Sequence, residues 1–130
     1  MTERIVSQPA ILVDLKKYRI RIYKYTIRSL GNPEYILLLV DPQAKSISIE
    51  RSDSHDKRAY HLAQAQFDNH RSPELFSRQL VRDLFSKCVH WQQGKSYRIF
   101  GEVDHYEGIA RFYIDDSVLF VYDRGDKHGV

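Results

Sequence analysis

An α+β fold built mainly from antiparallel strands and hairpins is what this chain predicts, with one main helix at about 73–89 and a short one at about 25–30. Three observations carry that prediction. Residues 18–24 and 46–50 alternate apolar and polar at period two, the pattern of half-buried strands. Residues 41–45 and 104–108 are aspartate-led turns set between apolar runs, which reads as two hairpins. Ser72-Pro73-Glu74 combines a helix cap, a proline for the first helical position and an acid for the first turn.

In chain order, residues 1–9 read as an arm and 10–15 as a short apolar strand, followed by a polar break at Lys16-Lys17. Residues 18–24 form a strand that buries Ile20 and Ile22 and turns Arg19, Arg21 and Tyr23 the other way. The short helix at 25–30 is stopped by Gly31 and by Asn32-Pro33. The run 35–40 is apolar throughout and reads as a strand covered on both faces, and 46–50 pairs back onto it. A polar loop over 51–58 and a short strand at 59–62 come next, and 63–71 shows no apolar face. Phe76, Leu80, Val81, Leu84, Phe85 and Cys88 give the main helix one apolar stripe. Strands at 97–103, 109–114 and 118–122 and a polar tail complete the chain.

The length suits a single domain over 1–130, with two similar halves at about 10–58 and 72–122. At 42% hydrophobic and 28% charged residues the chain has the composition of a globular protein, which excludes the disordered class. Cys88 is the single cysteine, so no intrachain disulfide can form, and a reducing, cytoplasmic setting is expected. The opening Met1-Thr-Glu-Arg lacks a basic-then-apolar leader and argues against secretion. No apolar run approaches the roughly 20 residues that cross a bilayer, so no membrane partner is expected.

The halves come from an internal correspondence. Ile27-Arg28-Ser29-Leu30 aligns with Val81-Arg82-Asp83-Leu84, and each is followed by a strand, an aspartate-led turn and a return strand. The first copy, about 18–50, resembles the swapped-hairpin DNA-binding domains of the AbrB/MraZ type. The features carrying the resemblance are Ile22-Tyr23-Lys24, then Ile27 to Leu30 closing in Gly31, the strand 36–40, the turn 41–45 and the strand 46–50. It departs from that pattern at Tyr23, where proline is usual, and lacks an acidic, glycine-rich link before the apolar strand. About 76–114 is the corresponding second copy. The resemblance implies transcription regulation through double-stranded DNA, and a pseudo-dimer within one chain or a homodimer of such chains. Carried onto this sequence, the contacts are Arg19, Arg21, Lys24 and Arg28, with Arg78 and Arg82 as counterparts.

Charge points the same way. Residues 1–31 hold seven Lys/Arg (Arg4, Lys16, Lys17, Arg19, Arg21, Lys24, Arg28) against two acids, Glu3 and Asp14. A basic patch of this kind draws phosphate backbones and gives binding that weakens as salt rises. Lys16, Lys17, Arg19, Arg21, Lys24, Arg28, Arg78 and Arg82 are therefore the nucleic-acid-binding candidates, with Tyr18, Tyr23 and Tyr25 interleaved. One alternative packs these tyrosines at the sheet edge and pairs the arginines with scattered acids; another makes the molecule a non-catalytic module whose basic strand meets an acidic protein. No enzyme, cofactor or metal is expected. The histidines His55, His61, His70, His90, His105 and His128 form no ligand spacing, and no nucleotide or nucleophile motif is present. An enzyme would need His105, Glu102 or His61 around one pocket.

Overall fold

Isoleucine at every second position gives the second and fourth strands one face to bury, and the rest of the chain is arranged to bury it. The computed structural model describes residues 8–62, 72–86 and 90–121. Its strands are β1 (Ala10–Asp14), β2 (Arg19–Ile22), β3 (Tyr35–Asp41), β4 (Ser46–Ser52), β5 (Tyr60–His61), β6 (Glu74–Phe76), β7 (Ser96–Asp104), β8 (Ile109–Tyr113) and β9 (Val118–Phe120). Helix α1 (Lys24–Ser29) follows β2, α2 (Arg78–Ser86) follows β6, and a 3₁₀ turn at Ile114–Asp116 separates β8 from β9.

These strands join one antiparallel sheet in the order β5-β3-β4-β8-β7-β1-β2-β6, with β9 paired to β7. The sheet curls into a half-barrel, and the fold class is thereby corrected. The molecule is predominantly antiparallel sheet rather than strands laid on a main helix, and the two described helices span only 6 and 9 residues. The sheet needs no large helical layer because its own curl covers it. Ile11, Val13, Ile20, Ile22, Ile47, Ile49, Ile99 and Phe112 share one core that α1 and α2 merely plug, with Ile27, Leu30, Val81 and Leu84.

The turn of the sheet is localised in β7. Its residues up to Phe100 pair with β1, and from Gly101 onward they pair with β8. A Cβ at position 101 would collide with the Arg111 carbonyl and the Phe112 ring, so only glycine lets β8 close in there. β9 then pairs with the first part of β7, on the side opposite β1.

The main helix starts later than Ser72-Pro73-Glu74 predicts. Glu74–Phe76 is an edge strand paired with β2, in which Leu75 faces Ile20 and the Pro73 carbonyl accepts from the Ile22 amide at 2.9 Å. Proline fits there because an edge position asks it for no amide hydrogen. The working cap is Ser77, whose Oγ accepts the Leu80 amide at 3.2 Å. The predicted helix end at 87–89, with Cys88, lies outside the described residues, as do 63–71, His70 and His128. β3 departs from expectation as well: Leu38, Leu39 and Val40 are only half-buried, so the strand is not covered on both faces.

The two corresponding stretches each supply strand, helix, strand and strand. β2 pairs with β6 and β4 with β8, both antiparallel. Among the described residues no helix is long and apolar enough to cross a membrane.

Candidate nucleic-acid interface

Asp14 ends β1 and organises a four-residue loop, since its register partner is Arg19. Its Oδ1 accepts the backbone amides of Lys16 at 2.8 Å and Lys17 at 3.1 Å, and its Oδ2 accepts the Arg19 Nε–H at 2.9 Å. Burial acts to raise the Asp14 pKa. The two amides and the Arg19 guanidinium outweigh it and hold the carboxyl below its usual value. The charged form therefore contributes stability above the unfolded carboxylate pKa of about 3.9. That contribution is lost as pH falls through the lowered folded value.

The same loop recurs. Asp41 accepts the amides of Gln43 and Ala44, Asp104 accepts those of Tyr106 and Glu107, and each loop ends in a left-handed residue, Lys45 or Gly108. In the β1–β2 loop the left-handed position is held by Tyr18, at φ 56°. An aromatic residue is uncommon there, and the conformation costs about 1 kcal/mol or more.

Tyr18 is where three elements meet. Its carbonyl accepts the Ser77 amide at 3.1 Å, which docks the start of α2 against the loop. Its hydroxyl accepts from Gln93 Nε2 at 3.0 Å, and Gln93 also donates to the Leu15 carbonyl at 3.2 Å. The Leu15 amide in turn donates to the Lys95 carbonyl at 2.9 Å. Over the ring lie two guanidinium groups of α2, Arg78 at 4.5 Å and Arg82 at 5.7 Å from its centre. Two like charges one helical turn apart repel, and the ring's negative face offsets part of that cost.

The eight predicted contacts thus divide into three groups. Lys16, Lys17, Arg78 and Arg82 gather around Tyr18, all exposed, and among the described residues none is ion-paired. Lys95, which sequence reasoning missed, joins them; only the β1–β7 pairing brings its loop alongside. Arg19 and Arg21 belong elsewhere. Arg19 bridges Asp14 and Glu74 at 2.9 Å each, and Arg21 reaches Glu74 at 3.0 Å, so both fasten β2 to its neighbours. Glu74, which the predicted helix sets one turn before Arg78, is committed to these two arginines. Lys24 and Arg28 sit on α1, at the far end of β2 from the loop.

Of the interleaved tyrosines, Tyr23 accepts the Arg98 Nε–H at 3.1 Å, and Arg98 also packs over Phe120 at 4.4 Å. The residues an enzyme would need are not brought together. His61, on β5, stacks on Tyr35 and lies 3.2 Å from Glu34, with β3 and β4 between it and the β7–β8 hairpin. That hairpin holds Glu102 in β7, and His105 is exposed on its turn. Among the described residues no group of three His, Cys, Asp or Glu is placed to hold a metal ion. Compared with protein-family models, curated proteins and solved structures, the chain has no match.

Proposed function

We propose that this protein binds double-stranded DNA, as a transcription regulator of the cytoplasm, through the surface formed by the β1–β2 loop, the first turns of α2 and the loop before β7. The observation that carries the reading is the Tyr18 cluster. Lys16, Lys17, Lys95, Arg78 and Arg82 stand on three neighbouring segments without carboxylate partners, among the described residues. Cations left unneutralised on a folded surface attract phosphates, and guanidinium groups held by an aromatic face are pre-oriented for phosphate oxygens. Tyr18 adds a ring at the centre of the patch. Arg19 and Arg21 support the reading only indirectly, by fixing the strand that carries the loop.

Fluorescence anisotropy with a labelled duplex at two salt concentrations tests it. Five phosphate contacts give a slope of log K against log salt of about −4.5, or a loss of roughly 500-fold between 50 and 200 mM. Lys17→Gln and Arg78→Gln should each reduce the slope by about one. Absence of binding at low salt removes the proposal.

A further inference from the structure

Side chains opposed across a ladder share one face of the sheet, and so does every second residue along a strand, so the register fixes what turns away from the core. One row on that outer face runs Phe76, Arg19, Asp14 across β6, β2 and β1. The next runs Glu74, Arg21, Leu12, Arg98 across β6, β2, β1 and β7. The row between them, Leu75, Ile20, Val13 and Tyr97, belongs to the core. Phe76 is 67% exposed, although its backbone is fixed by pairing with Arg19 and the next residue, Ser77, donates its amide to the Tyr18 carbonyl. A ring so open on a strand so fixed adds nothing to the core. Arg98 is held as firmly. Its Nε–H donates to the Tyr23 hydroxyl at 3.1 Å, and its guanidinium lies 4.4, 5.4 and 5.8 Å from the ring centres of Phe120, Tyr23 and Phe100. Among the described residues no carboxylate pairs with Arg98, and its two terminal nitrogens reach solvent without a protein partner.

We infer that this outer face holds a tract of single-stranded nucleic acid, with an unpaired base stacked on Phe76 and a phosphate on the terminal nitrogens of Arg98. The inference rests on the nucleic-acid reading above and adds unpaired bases to it. In a duplex the flat faces of the bases are hidden in the stack, so an exposed ring beside a phosphate-binding patch meets bases only where the stack is open. Phe76 and Arg98 stand three strands apart, about 14 Å along the sheet, which a chain of nucleotides spans and a single small ring does not. Between them Arg19 and Arg21 answer Asp14 and Glu74, so Arg98 leaves these two rows with one positive charge in excess. That excess favours a polyanion and opposes a second copy of the same face. Ser77 joins Phe76 to the Tyr18 cluster, so a strand on this face leads directly off the duplex surface.

The test uses the full chain and reads anisotropy for a labelled thymidine strand of about 12 nucleotides and, separately, for a labelled duplex. The strand should bind. Phe76→Ala should weaken it about tenfold and leave the slope of log K against log salt unchanged, whereas Arg98→Gln should lower that slope by about 0.7. Duplex binding by both variants should equal that of the unaltered chain, since neither side chain belongs to the Tyr18 cluster. An unchanged melting temperature shows that each variant is folded. Arg98→Lys is the second variant at that position; it keeps the charge and the slope but loses the planar fork. Absence of strand binding, or strand binding indifferent to Phe76→Ala, overturns the inference and leaves the duplex reading standing wherever the duplex still binds. Equal losses for strand and duplex overturn it too, because the ring would then not be meeting unpaired bases. So does poly-glutamate that displaces the strand as readily as unlabelled strand does, because the face would then suit an acidic protein. A chain that binds the strand and not the duplex supports this inference and removes the duplex reading, so the two failures are distinct.

Discussion

Tyr18 holds a conformation that glycine would take at no cost, and it spends that strain to place a ring beneath two arginines. The Asp104 loop shows the contrasting solution. There Gly108 fills the equivalent position at φ 72°, with the Arg51 guanidinium lying where a Cβ would stand. The ring's role separates from its bulk by substitution within the same strained backbone. Tyr18→Leu keeps an apolar side chain and loses the π face, and Tyr18→Phe keeps the face and loses only the Gln93 bond. Two cation–π contacts at about 0.5 kcal/mol each correspond to roughly fivefold in affinity. Anisotropy titrations should therefore show Tyr18→Leu binding duplex DNA about fivefold more weakly, with Tyr18→Phe close to the unaltered chain. Equal affinity for all three would mean that the ring only spaces the arginines. The sequence held a clue to this loop that went unused: Asp14 precedes Tyr18 by the same interval that separates Asp41 from Lys45 and Asp104 from Gly108.

Among the elements, most strands were legible because alternation at period two survives inspection without any partner in view. Ile20 and Ile22 face inward and Arg19 and Arg21 outward, as their spacing requires. β6 was illegible for a physical reason. Proline and an acid after serine satisfy a helix start, yet they equally satisfy an edge strand whose acid meets arginines on the next strand. Which outcome wins depends on β2 lying alongside, and no local pattern records that. The Glu74 network also gives a structural task to two arginines that charge and the resemblance proposed for DNA. Arg19 is 11% exposed and shared by two carboxylates, so Arg19→Ala leaves Asp14 buried beside an empty place. The expected cost is about 3 kcal/mol, against about 1 kcal/mol for Arg21→Ala, where Glu74 keeps Arg19. Urea denaturation at neutral pH measures both. A cost for Arg19→Ala no larger than for Arg21→Ala would show that the ion pairs do not hold β2 in place.

At the scale of the whole molecule, the pairing of strands between the first and second stretches was not visible in sequence. β1 pairs with β2 on one side and, from Ala10 opposite Phe100 to Asp14 opposite Ser96, with β7 on the other. Together with β4 beside β8 and β2 beside β6, this leaves neither stretch a core of its own. Contacts so distant in sequence carry no local signature, because their loop-closure cost is met only when the sheet assembles. Interleaving has a measurable consequence. Trp91, the only tryptophan, stacks on Tyr97 at 5.1 Å and donates from Nε1 to Ser117 Oγ at 2.8 Å, so its fluorescence reports first on these contacts of the second stretch. Far-UV dichroism reports on strands from both. If β1 binds the stretches into one cooperative unit, urea transitions followed by the two signals will superimpose, with a single midpoint and a single slope. Fluorescence that is lost while half the dichroism persists would mean that β2, β3 and β4 stand without β7, and that the β1–β7 pairing does not hold the fold together.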